Sequence, residues 1–133
     1  MKFTCNQQLL SKALNTVSKA VSVRTTIPIL KGILIEAGED GKVKLAASDL
    51  DISIEKKIDA KVEEAGSVVV LSKLFVDIIR KLPNEELLIE TTEENKVTIG
   101  CSRSEFVLVG LSPDEFPAFG EEIENAEEIS LDK

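Results

Sequence analysis

The sequence predicts an α+β domain made of two copies of one strand–helix–three-strand unit, with both helices on one face of the sheets. Three observations predict it. Hydrophobic periodicity runs from two residues to 3.6 and back to two, and then the same succession restarts near residue 66. An amphipathic helical stretch begins at an equivalent place in each half. Turn-forming residues, Gly38-Glu39-Asp40-Gly41 and Glu93-Glu94-Asn95, separate strands at matching positions. The halves share a pattern and no obvious residue identity, so the repeat is structural, with the two units expected side by side.

In the first unit, residues 2–5 alternate as a short strand. Leu10, Leu14, Val17 and Val21 then step by four, three and four, a narrow apolar stripe at about 100° per residue. A helix is expected over residues 7–21 with Asn6 as its N-cap. Gln8, Lys12, Asn15, Thr16 and Lys19 fall on the opposite side. Pro28 precedes a strand over residues 29–37, and after the Gly38–Gly41 turn residues 42–47 return with Val43 and Leu45 on one face. Residues 51–60 alternate, with Ile52, Ile54 and Ile58 against Ser53, Glu55 and Asp59.

The second unit opens with an apolar strand over residues 66–71. Ser72 is expected to cap a helix reaching residue 82, where Pro83-Asn84 ends it. Leu74, Phe75, Ile78, Ile79 and Leu82 form its broad apolar face, and Lys73 and Arg80 lie seven apart on one edge with Asp77 nearby. Strands follow over residues 87–92, 96–101 and 104–111, the last alternating Phe106 and Leu108 against Glu105, Val107 and Val109. From Pro113 the chain turns linker-like, and Ile129-Ser130-Leu131 begins something strand-like.

At 133 residues the chain is long enough for one domain with a real core. Its formal net charge is -8, yet the first 35 residues hold five basic side chains (Lys2, Lys12, Lys19, Arg24, Lys31) and no acid. From Gly110 onward there are eight acids against one base. A local basic field can attract a polyanion that the net charge would repel. The two helices, lying together, would point Lys12, Lys19, Lys73 and Arg80 the same way.

Several chemistries are excluded. There is no histidine, so histidine-based nucleophilic catalysis and histidine metal ligation are out. No glycine-rich phosphate loop of the familiar kinds occurs. With no Trp or Tyr, and five Phe in apolar patterns, base-stacking platforms are not expected. Cys5 and Cys101 are far apart in strand contexts and read as reduced core residues of a cytosolic protein. No apolar run approaches a membrane span, and the N-terminus has no apolar signal region, so the expected location is cytoplasmic, with no membrane partner. No cofactor is expected. Two competing readings remain. Asp49-x-Asp51 could place two carboxylates on one strand face for a divalent metal, although solvated loop acids give the same pattern. Alternatively, the chain could be a protein-interaction domain working through its edge strand, without nucleic acid.

Five segments carry a resemblance: Met1-Lys2-Phe3-Thr4, Thr26-Ile27-Pro28-Ile29-Leu30, Ser48-Asp49-Leu50-Asp51, residues 73–82, and residues 111–119 with Asp114-Glu115-Phe116-Pro117 at their centre. In order and spacing they resemble the N-terminal domain of the bacterial sliding clamp family, the beta subunit of DNA polymerase III, across essentially the whole chain. The resemblance implies a DNA-clamp fold and a DNA replication processivity factor, not an enzyme. In the family, three similar domains form a subunit, and two subunits close head to tail around double-stranded DNA as a homodimer ring. Helices line the hole. DNA polymerase III and the clamp loader would engage domains absent here. Residues 1–120 would be the first domain, and residues 121–133 a linker and the first strand of a missing second domain.

Residue by residue, the resemblance implies that Arg24 and Lys73 contact DNA. Lys12, Lys19 and Arg80 would add to the field without specific contacts. No side chain looks placed to read base edges, so binding would be to phosphates and independent of sequence. Arg103, Phe106 and Leu108, with the 73–81 helix beside them, would meet the next subunit, and Glu105 and Leu74 depart from positions that are basic in some members. A Leu108→Lys change is then expected to leave the isolated domain folded and to break the ring.

Overall fold

The computed structural model describes residues 1–21, 31–48, 52–92, 94–102 and 104–115. Strand β1 (Lys2–Asn6) leads directly into helix α1 (Gln7–Val17), which tightens into a 3-10 turn at Ser18–Ala20. Strands β2 (Gly32–Ala37), β3 (Lys42–Ser48), β4 (Ser53–Asp59), β5 (Lys61–Glu64) and β6 (Gly66–Leu71) follow. Helix α2 (Ser72–Lys81) then precedes β7 (Glu86–Thr91), β8 (Lys96–Cys101) and β9 (Ser104–Val109), and a 3-10 turn at Pro113–Glu115 closes the described chain.

All pairing is antiparallel, in two sheets ordered β5-β1-β7-β8-β9 and β4-β3-β2-β6. The units are interlocked and not side by side. β1 opens the first unit but pairs with β7 of the second, Phe3 opposite Ile89. β6 opens the second unit but pairs with β2 of the first, Leu34 opposite Val69. Local alternation dictates that a strand forms and which face it buries; it says nothing about which strand sits beside it. β5 was not expected, because Lys61-Val62-Glu63-Glu64 offers one apolar residue on a charged strand. Such a short, charged strand suits a sheet edge.

The chain crosses between the sheets at both lateral ends. After Ala60 it passes from edge strand β4 into edge strand β5. Beyond β9, Leu111 bridges to Val69 of β6, with Leu111 N–H donating to Val69 O at 2.7 Å and Val69 N–H to Leu111 O at 3.1 Å. Gly110 makes this crossing possible. A Cβ there would lie 2.8 Å from both Val68 Cγ2 and Val69 O and 2.9 Å from Asn95 O.

Turn chemistry follows the sequence. Gly41 takes φ 81° in the β2–β3 turn, where Gly38 N–H donates to Lys42 O at 2.9 Å. Asn95 takes φ 61°, a left-handed conformation that its short side chain tolerates.

One apolar cluster joins both sheets and both helices, with Phe3, Leu10, Leu14, Ile35, Leu45, Phe75, Ile89 and Ile99 fully buried. Cys5 lies in it, and burial, with a smaller push from Glu86, raises its thiol pKa to about 12. Cys101 is half-buried, and both cysteines are free. Thiolate is the reactive form. At pH 8, alkylation of the folded chain should therefore label Cys101 and spare Cys5 until the chain unfolds; equal labelling rates, read by mass spectrometry, would contradict this packing. Because the folded pKa of Cys5 is raised, the stability it contributes is intact below the ordinary thiol pKa of 9.0 and is lost as pH climbs from there towards about 12.

Candidate nucleic-acid interface

Helix α1 forms where expected. Asn6 caps it, its side chain accepting from Leu9 N–H at 3.1 Å, and Leu10, Leu14 and Val17 point into the core. The regular helix stops at Val17, four residues earlier than the stripe suggests, so Lys19 stands on the 3-10 turn. Gln7 also falls on the apolar stripe, one turn before Leu10. Its buried side chain donates to Ile79 O on α2 at 2.7 Å. That bond fixes the start of α1 against the end of α2 and satisfies a polar group whose burial would otherwise be costly. Gln7 was legible as an on-stripe residue, but its partner was not.

Helix α2 begins one residue before expectation. Leu71 occupies the N-cap position without a side-chain hydrogen bond, and Ser72 is the first helical residue, buried rather than capping. Phe75, Ile79 and Leu82 are buried and Ile78 is half-buried. Leu74, expected on the apolar face, is 47% exposed, as is Leu71 at 41%.

The two helices touch one another on one face of the sheets, α1 against β3 and β4, α2 against β6. Lys12, Lys19, Lys73 and Arg80 are all exposed. Neither α1 nor its 3-10 extension contains a carboxylate, and α2 contains only Asp77. Arg80 reaches Asp77 at 3.7 Å, an exposed pair that neutralises part of its charge. Lys12, Lys19 and Lys73 make no ion pair among the described residues. Lys73 sits in the first turn of α2, where the helix dipole mildly disfavours a cation, whereas Arg80 and Lys81 sit in the last turn, where it favours them. Lys81, exposed beside Arg80, belongs to the same basic surface and was not singled out from the sequence. Arg24 lies outside the described residues, as do Asp49 and Asp51. Among the described residues, no group of three or more Cys, Asp or Glu is placed to hold a metal.

Strand β9 is the edge of the five-stranded sheet, and it corrects one expectation. Leu108 is 6% exposed and part of the core, opposite Val97, so it is not a surface contact. Alternation puts Phe106 and Leu108 on the core side of β9, and position along the strand decides how far each is covered. Phe106, nearer the strand's start, remains 38% exposed. Val107 and Val109, on the outer side, are 60% and 69% exposed. Arg103 is outside the described residues.

The model of the DNA polymerase III beta subunit N-terminal domain matches residues 1–120. The chain belongs to the DNA polymerase III beta subunit family. It is 43% identical over 129 residues to the beta sliding clamp of Staphylococcus epidermidis, covering 91% of this chain and 34% of that protein. It superposes on the DNA polymerase sliding clamp of Bacillus subtilis with a TM-score of 0.84 at 42% identity, covering 88% of this chain and 33% of that one. The sliding clamp of Caulobacter crescentus gives a TM-score of 0.83 at 32% identity, covering 89% and 32%. The chain thus spans about a third of the length of the curated clamps it matches. Among the described residues, no helix is long and apolar enough to cross a membrane.

Proposed function

We propose that this chain is the first domain of a ring-shaped processivity clamp, a non-catalytic cytoplasmic factor that encircles duplex DNA and tethers the replicative polymerase. The observation that carries the reading is the pair of contacting helices. In a chain of net charge -8 they present Lys12, Lys19 and Lys73 without ion-pair partners among the described residues and hold a single carboxylate between them. A surface of this kind neutralises phosphates and reads no bases, as sliding along DNA requires. Arg24 and Lys73 are proposed as the contacts, and Lys12, Lys19, Arg80 and Lys81 as the surrounding field. Residues 1–120 form the domain, and residues 121–133 lead to a second one. Polymerase and clamp loader engage parts of the full-length protein outside this chain.

The free edge of β9, with Arg103, Phe106 and the neighbouring face of α2, is proposed as the junction with the next subunit. Leu108 supports that edge from beneath. The competing reading, an interaction domain with no nucleic acid, rests on the same exposed edge, and salt-sensitive DNA affinity separates the two.

Replacing Arg24 and Lys73 together with Glu in the full-length protein should sharply reduce the amount retained on circular duplex DNA. Retention equal to the parent would remove those two residues from the DNA contact. One domain neutralises few phosphates, and each costs a log–log salt slope of about 0.9 on B-DNA, so the isolated chain should bind duplex weakly and lose it as salt rises.

A further inference from the structure

The outer face of the five-stranded sheet, away from both helices, holds a shallow depression of about 520 Å³ over Leu88. Its centre is Gly100, in the middle of the register that runs Thr4, Leu88, Gly100, Glu105 across four strands. Glycine inside a strand weakens it and commonly marks a bulge, a bend or the close approach of another molecule. The first two do not apply. Gly100 keeps regular register with both neighbours, as the last pair of the β7 ladder and inside the β9 ladder, and Gly41 is the described glycine with positive φ. Nor does internal packing demand it, since a Cβ would meet only Leu88 O, at 3.9 Å. The missing side chain leaves the apolar flank of half-buried Leu88 open.

What surrounds the depression defines the occupant. Glu86 and Glu105 are exposed on its rim, and Glu85, whose Oε1 accepts from Ser102 N–H at 2.8 Å, adds a third acid. Among the described residues no cation lines the depression, and the cations of this face, Lys2 opposite Glu90, Lys61 beyond Thr4 and Lys96 further along β8, stand outside it. One register step away stands Val107, 60% exposed on the same face. We propose that this face docks an extended basic segment of a partner protein, alternating cations with apolar side chains. The stem of a Lys or Arg lies over Leu88 in the space Gly100 vacates. Its cation meets Glu86 and Glu105, and a neighbouring apolar side chain covers Val107. This site lies on the face opposite the helices and does not depend on DNA binding.

The test uses a fluorescein-labelled peptide of four Lys-Val repeats, with four Lys-Ser repeats as a charge-matched control lacking apolar side chains. Anisotropy gives affinity, and amide shifts of the ¹⁵N-labelled chain give location. The Lys-Val peptide should bind more tightly than the control and shift Leu88, Gly100, Glu105 and Val107. Gly100→Val, which fills the depression with a strand-favouring residue, and Glu105→Lys should each weaken it by about tenfold. Both variants should keep the parent's melting temperature, and Glu105→Lys, at an exposed position, serves if Gly100→Val does not fold. Equal binding of the two peptides, shifts spread over the acidic surface, affinity unchanged in the variants, or no binding at all would each overturn the proposal.

Discussion

Replacing Gly110 with alanine should cost the domain about 1–3 kcal/mol, the range for overpacking, with the upper end expected. Two of the three atoms a new Cβ would strike are backbone oxygens, Val69 O at 2.8 Å and Asn95 O at 2.9 Å. Neither can step aside. Val69 is paired to Leu111 in both directions, and Asn95 O accepts from Gly110 N–H itself at 2.7 Å. Relief therefore requires breaking the stitch that ties the end of one sheet to the other. Gly100→Ala is the matched control, since its Cβ would meet nothing nearer than Leu88 O, in ordinary contact at 3.9 Å. Urea denaturation should separate them clearly, and a Gly110→Ala midpoint equal to the parent's would show that the crossing is not a fixed part of the fold.

A larger loss is expected from Leu108→Lys. Removing a buried leucine side chain alone costs about 2–5 kcal/mol. Placing an ammonium among Val97 and its neighbours adds the penalty of an unpaired buried charge. Against a typical total of about 5–15 kcal/mol, that change leaves little folded protein. Val107→Lys, one residue away on the opposite side of β9, should stay within about 0.5 kcal/mol of the parent because Val107 is 60% exposed. Circular dichroism melts decide it. Equal melting of the two variants would mean that β9 does not carry Leu108 into the core. The same contrast governs how the proposed subunit junction is to be probed. Phe106, 38% exposed, can be changed to test the junction, whereas a Leu108 variant would report on folding.

The sequence made the elements legible wherever a local rule governed them. The stripe of Leu10, Leu14 and Val17, the Asn6 cap, the Gly41 turn and the Val43/Leu45 alternation each depend on neighbours within a few residues. Features set by distant partners were not legible. The exchange of β1 and β6 between the units is a choice among strands of similar character. Leu108 and Phe106 have the same parity and chemistry, and only their depth under the sheet edge tells them apart. Leu74 reads as core because its wheel position is apolar, yet α2 is covered on too narrow an arc to reach it. The basic surface was visible as a charge asymmetry within residues 1–35. Its junction with α2 depended on Gln7 bonding Ile79 O, a contact across 72 residues.

The most direct test of the clamp account is topological. Full-length protein containing this chain, loaded onto nicked circular duplex, should stay bound at a salt concentration that dissolves phosphate contacts and should come off when the circle is linearised. Release from circular and linear DNA at the same salt concentration would contradict encirclement and leave only the ordinary electrostatic affinity of a basic surface.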